Sequence, residues 1–181
     1  MHEEGDFVKP VTVRLKDGRT IALRSMRAED EDKLFEMFSS LSEDAVRWGL
    51  PPYTREVIKR WISNLPHSIA IVALHGDRIV GQASIYKIPP PRRKGVGNLG
   101  IYIHQDFQKV GLGTVMVSEL LEIARKEKLH KIELGVIAEN IRAIRLYEKF
   151  GFKVEGVLRD AYLGDDERYH DEIMMGLILK E

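Results

Sequence analysis

The chain has 181 residues, 28 Lys and Arg against 28 Asp and Glu, no cysteine and 44% hydrophobic content, which is ordinary globular composition. A chain of this length buries roughly 70% of the surface its unfolded form exposes, so it needs no disulfide or metal staple. Zero net charge argues against a protein whose main task is neutralising phosphate backbones, and no nucleic-acid partner is expected.

The acidic start Met1-His2-Glu3-Glu4-Gly5-Asp6 lacks the basic and apolar segments of a secretion signal, and the longest apolar run, Ile69 to Leu74, is far short of a membrane span. A cytoplasmic chain with no membrane partner is the expectation. Val11 to Leu15 alternates apolar and polar residues, Asp17-Gly18 is a turn signal, and Ile21 to Leu23 resumes the alternation, so the opening predicts a hairpin. Glu31 to Phe38 predicts a helix behind an acidic first turn, which complements the helix dipole. Pro51-Pro52 breaks the chain, and Thr54 can cap a helix through about Ile62.

Ser68 to His75 and Arg78 to Lys87 flank Gly76-Asp77 as a second hairpin, followed by an exposed loop from Pro89 to Gly95. The basic run Arg92-Arg93-Lys94 in that loop is a candidate for steering an acidic substrate. Leu99 to His104 predicts a strand. Gly111 to Lys128 predicts a helix, with Val117, Leu120, Leu121 and Ala124 at i, i+3, i+4 and i+7. A strand over Lys131 to Ile137 and a helix over Asn140 to Phe150 follow. Phe152 to Arg159 and Tyr169 to Leu179 predict strands separated by the acidic turn Gly164 to Glu167. No repeat or linker divides the chain, so one mixed α/β domain over 1–181, with its core at about 11–179, is expected. Charged residues reach 31% while Asn and Gln occur three times each, the thermophile pattern of ion pairs replacing heat-labile side chains.

A phosphate-binding loop needs glycines where the backbone approaches the anion and a helix whose free N–H groups point at the charge. Gly95-Val96-Gly97-Asn98-Leu99-Gly100 is a literal G-x-G-x-x-G, but it runs into a strand rather than a helix, so it is expected to be a hairpin loop. Gln108-Lys109-Val110-Gly111-Leu112-Gly113-Thr114 lies between a strand and the long amphipathic helix. There, Gly111 and Gly113 can open a helix N-terminus onto a pyrophosphate, with Lys109 adding charge.

Ile101 to Thr114, followed 26 residues later by Asn140-Ile141-Arg142-Ala143-Ile144-Arg145-Leu146-Tyr147-Glu148-Lys149-Phe150-Gly151-Phe152, resembles the two signature segments of the GNAT superfamily of acetyl-CoA-dependent N-acetyltransferases. The resemblance is strongest from about Asn98 to Gly156. It implies the GNAT fold, a central mixed and mostly antiparallel twisted sheet flanked by helices, with a splayed strand pair holding CoA. It also implies that Ile101, Tyr102 and Ile103 offer backbone hydrogen bonds to the pantetheine arm. The loop Gln108, Lys109, Val110, Gly111, Leu112, Gly113 and Thr114 then holds the pyrophosphate, Asn140 contacts the cofactor while capping its helix, and Tyr147 is the general acid. A phenol of pKa ≈ 10 stays protonated at neutral pH and can donate to the departing thiolate.

The same resemblance leaves the general base open. Positions where relatives carry a glutamate hold Asn98 and Gly135 here, and Glu133, His104, Asp160, His170 and Asp171 are candidates by position. At pH 7 a lysine amine is neutral only about once in 2500 molecules, an α-amine in roughly one of six to eleven, which tilts the reading toward an α-amine. With no Cys and no Ser in a nucleophile elbow, direct attack by the amine in a ternary complex is expected. The acceptor, whether a protein N-terminal or lysine amine or a small-molecule amine, stays open, as does a homodimer. A non-catalytic acyl-CoA sensor is the alternative.

Overall fold

The structure, a computed structural model, describes residues 10–179; the acidic start lies outside them. Its strands are β1 Val11–Arg14, β2 Thr20–Ser25, β3 Ser68–His75, β4 Arg78–Lys87, β5 Val96–Ile103, β6 Lys131–Ile137, β7 Lys153–Leu163 and β8 Tyr169–Ile178. They form one sheet in the order β1-β2-β3-β4-β5-β6-β8-β7. Neighbours are antiparallel except β5 and β6, which run parallel and are joined by a helical crossover, as parallel strands require. The helices are α1 Glu31–Ser39, α2 Glu43–Val46, α3 Arg55–Ser63, α4 Leu112–Lys126 and α5 Ile141–Lys149.

The uninterrupted apolar run of β3 is explained by burial on both faces. Ile69, Ile71 and Ala73 join Met116, Val117, Leu120 and Leu121 of α4 in one core. Ala70, Val72 and Leu74 join Leu34, Met37 and Phe38 of α1 and Ile58 of α3 in the other. Each such Leu, Ile or Val contributes about 1.5–3 kcal/mol relative to an exposed one.

Two expectations need correction, and one short helix was not among them. The G-x-G-x-x-G segment is strand from Val96 onward, because Gly97 gives the space that the Ile85 side chain of β4 fills; a Cβ there would overlap it. The four-residue α2, capped by the Ser42 side chain accepting from Ala45 N–H, is too short for periodicity to reveal. β7 continues to Leu163, past the expected end at Arg159. An irregularity between Leu158 and Tyr162, with Asp160 at φ 50°, lets the strand kink and carry on, as a bulge does.

The feature that makes a site is the short β5–β6 pairing. Only Val96, Gly97 and Asn98 pair with Lys131, Ile132 and Glu133, although β5 stays paired with β4 through Ile103 and β6 with β8 through Ile137. Beyond Asn98 the two strands part and leave facing backbone edges.

Candidate active site

The gap between β5 and β6 opens into a cleft of about 1000 Å³. At one end stands the N-terminus of α4. Gly111 precedes it at φ 92°, a left-handed conformation that costs a non-glycine residue about 1–2 kcal/mol, and Lys109 also has positive φ. The N–H groups of the first turn of α4 have no partner within the helix and face this end. Lys16, Lys109 and Arg142 line it, Lys16 lying against Gly111. Gln108 fixes the loop in place: its side-chain amide donates to the Ile103 carbonyl (3.2 Å) and its oxygen accepts from Arg142 (2.8 Å).

Of the residues expected to hold cofactor, Ile101, Tyr102, Ile103, Gln108, Lys109, Gly111, Gly113, Thr114 and Asn140 line the cleft, while Val110 and Leu112 do not. Leu112 is buried in the core, so only its backbone faces the helix start. The Val110 carbonyl is taken by Lys16 N–H at 3.1 Å. Asn140 caps α5, its side-chain oxygen accepting from Ala143 N–H at 3.3 Å. Lys16 and Arg142 were not expected, since nothing in their local sequence marks them.

Tyr147 sits on α5, 6% exposed, within the α4-side core, and lines the gap between the strands. Burial pushes its phenol up to about 12, so it holds its proton throughout the working range. Tyr102 points to the other face, where its ring packs on Phe38, Tyr53 and Trp61, and burial raises its phenol as well.

At the opposite end of the cleft the lining is Asp44, Trp48, Gly49 and Leu50 from α2 and the segment after it, Glu139 from the turn before α5, Tyr162 from β7, and Glu172 and Met174 from β8. The Trp48 and His170 rings meet edge to face at 5.5 Å. His170 stands between Glu139 (3.0 Å) and Asp166 (2.9 Å), and these two carboxylates raise its imidazole above the ordinary value.

None of the five positional candidates for the base lines the cleft. Glu133 is paired with Arg93 at 2.6 Å, which also engages part of the basic loop considered for substrate steering. His104 is buried with the Arg78 guanidinium 2.8 Å from its Nε2; burial, then Arg78, lower its pKa. The Asp171 carboxylate accepts from Asp160 N–H at 3.0 Å and so holds the β7 irregularity. Asp44, Glu139 and Glu172 are the carboxylates that do line the cleft, and of these Glu172 stands at the gap between the strands. A Cβ built on Gly135 would overlap its side chain, so Glu172 fills from β8 the space that a side chain at position 135 would take. The signal was available in β8, where His170, Glu172 and Met174 fall on one face by strict alternation.

The donor set fits acetyl-CoA: three cations and a helix N-terminus at one end, an unpaired strand edge along the middle, and a buried phenol at the gap. Comparison with known proteins agrees. The acetyltransferase (GNAT) family matches residues 32–152. The chain is 29% identical over 109 residues to the L-amino acid N-acetyltransferase AaaT of Escherichia coli, a stretch covering 60% of this chain and 66% of that enzyme. A crystal structure of ribosomal-protein-alanine N-acetyltransferase from Brucella melitensis superposes with a TM-score of 0.76 at 25% identity, over 87% of this chain and 99% of that one. The structure of yncA from Salmonella typhimurium with its cofactor acetyl-CoA superposes with a TM-score of 0.76 at 22% identity, over 89% and 95%, a likeness of fold.

Proposed function

Because the chain belongs to the acetyltransferase (GNAT) family, whose acyl donor is acetyl-CoA, we propose that it transfers an acetyl group to a primary amine by direct attack in a ternary complex. The observation that carries this reading is Tyr147, a buried, protonated phenol at the gap between the parted strands. When bound, acetyl-CoA supplies an acetyl thioester. The free N–H groups of the α4 first turn, with Lys16, Lys109 and Arg142, hold its phosphates, and the open edge of β5 accepts its amides as an added strand would. Backbone N–H groups of that edge can polarise the thioester carbonyl.

Tyr147 serves the leaving sulfur. A phenol near 12 is a weaker acid than an ordinary thiol at ≈ 8.5, so outright proton transfer ahead of bond cleavage is unfavourable. The desolvation that raises the phenol raises a neighbouring thiol too, which narrows that mismatch. Tyr147 therefore donates a hydrogen bond as charge grows on sulfur and passes the proton as the C–S bond breaks.

A non-catalytic sensor drew its support from the empty glutamate positions, and Glu172 in the space beside Gly135 weakens it. Relatives are named for free amino acids and for a ribosomal-protein alanine, so the acceptor is not inherited from the family. Thiol release from acetyl-CoA over spermidine, peptides with a free α-amine, lysine peptides and free amino acids tests the reading. Turnover with any of them supports acetyl transfer; tight CoA binding with release on none supports the sensor.

A further inference from the structure

The parted strands give the site two sides, which strand register identifies. Directly opposed residues of paired strands share a face, so Gly135 and Met174 lie on one face together with Ile137 and Glu172. Ile132, Leu134 and Val136 alternate to the other face and are buried in the core that contains Tyr147. A group lying in the gap therefore has the Tyr147 phenol toward one face of the sheet and the Glu172 carboxylate toward the other. Glu172 does not stand over its partner Ile137. Its side chain leans along β6 to cover Gly135, the β6 residue that lines the gap.

Among the described residues, the Glu172 side chain has no ion pair and no hydrogen bond, whereas the carboxylates around it are engaged. Glu139 is held by His170, Glu133 by Arg93, Asp171 by the Asp160 N–H, and Asp44 lies 3.8 Å from Arg47. The charge along the cleft is also segregated. Its lining cations, Lys16, Lys109 and Arg142, stand at the α4 end, and the far end is lined by Asp44, Glu139 and Glu172 with Trp48 and Tyr162. Arg47, the guanidinium of that segment, is turned to Asp44 and Trp48 and does not line the cleft.

We propose that Glu172 is the carboxylate that receives the acceptor ammonium and takes its proton, and that the site accepts primary amines bearing no carboxylate beside the amine. The proposal rests on the acetyl-transfer reading above. An ammonium there meets a free carboxylate and a lining that includes the aromatic side chains of Trp48 and Tyr162, both favourable to cations. The carboxylate of a free amino acid would face Asp44, Glu139 and Glu172, with no lining cation at that end to receive it. The proton balance closes. The ammonium carries three protons and the amide keeps one. Glu172 takes the first, leaving a lone pair that forms the C–N bond as the C–S bond breaks. The second leaves the nitrogen after attack. Of the two released protons, one ends on the CoA thiol through Tyr147 and the other passes to solvent through the open cleft.

Three measurements on the full chain test this. Glu172→Gln keeps the shape and removes the base. Its kcat/KM with spermidine or an α-amine peptide is expected to fall by about 10²–10⁴ at neutral pH. The deficit should shrink as pH approaches the amine's own pKa, where no base is needed, and CoA affinity should be unchanged. Equal turnover of wild type and variant at neutral pH overturns the proposal. Moving the carboxylate to the neighbouring strand, with Glu172→Gly and Gly135→Glu together, is expected to restore at least tenfold over Glu172→Gly, a rescue that a merely structural role would not give. Calorimetry of spermidine binding to the CoA complex needs no turnover. A tenfold or greater loss in Glu172→Gln supports the ammonium contact even if wild type transfers to no amine, the result that would overturn the acetyl-transfer reading instead; equal affinities count against Glu172. Across substrates, kcat/KM at least tenfold higher for a free L-amino acid than for its amide overturns the acceptor class.

Discussion

The hydroxyl of Tyr162 on β7 donates toward the backbone carbonyl of Gly49, 2.8 Å away, and toward that of Arg47 at the same distance. A residue from the last third of the chain thereby holds the segment after α2, from the first third, over the far end of the cleft. A neutral hydrogen bond contributes about 0.5–1.5 kcal/mol, so Tyr162→Phe should raise the amine KM about two- to tenfold. CoA affinity should not change, because the phosphate end shares no residue with this contact. Steady-state kinetics with calorimetry of CoA binding would separate the two; a variant that weakens CoA and leaves KM alone contradicts the assignment.

Tyr147→Phe removes one oxygen that makes no hydrogen bond to other described residues, so the fold should be unaffected. Turnover is expected to fall by about 10²-fold or more while CoA affinity is kept. The loss should persist across pH, because a phenol raised to about 12 does not titrate in the working range. Unchanged kcat would remove Tyr147 from the chemistry.

Gly111→Ala forces a side chain into φ 92°, where strain is about 1–2 kcal/mol. If the loop relaxes to avoid it, the α4 N–H groups lose their aim. CoA affinity should drop about five- to thirtyfold, read by calorimetry, with the melting midpoint of the free protein falling by less than that of the CoA complex.

His170 makes stability depend on pH with a definite sign. Its folded pKa lies above the ordinary value because Glu139, then Asp166, favour the imidazolium. Its contribution is therefore full below about pH 6.5 and is lost as pH rises through the raised value. Glu139 and Asp166 are held low, each first by His170, so their share is lost as pH falls through their depressed values. The β7–β8 hairpin should be most stable in mildly acidic solution. His170→Ala should flatten the fall in melting midpoint between about pH 6 and pH 8, and hydrogen exchange should localise the change to the hairpin.

Asp30 is 3% exposed and accepts both guanidinium nitrogens of Arg24 at 2.7 Å and Arg27 N–H at 2.9 Å, fastening the entry to α1. Asp30→Ala removes one side of a buried pair and should cost about 3 kcal/mol, measured by denaturant unfolding.

Legibility in the sequence followed physical range. Elements whose signal is local, such as α4 with its apolar period or α5 with Asn140 as cap, were readable. So was the glycine-rich turn before α4, because glycine at positive φ and a helix start are properties of neighbouring residues. The partners that complete each end of the cleft were not. Lys16 reaches the α4 end of the cleft from the turn after β1, and Glu172 reaches the gap by leaning across Gly135. Both depend on which strands lie side by side, and no window of sequence contains that. The base candidates chosen by position fall outside the cleft lining for the same reason: Glu133 and Asp171 have suitable chemistry, but they are engaged by Arg93 and by the Asp160 N–H of the β7 kink.

The three-residue pairing of β5 with β6 also has a mechanical meaning. It is the short seam between two half-sheets, β1 to β5 and β6 with β8 and β7, and the backbone edges beyond it face one another across an open angle. A molecule laid along that angle behaves as a splint. It would stiffen the sheet along its shortest pairing, so a bound donor is expected to hold the Glu172 side of the molecule more firmly against the Ile101 side.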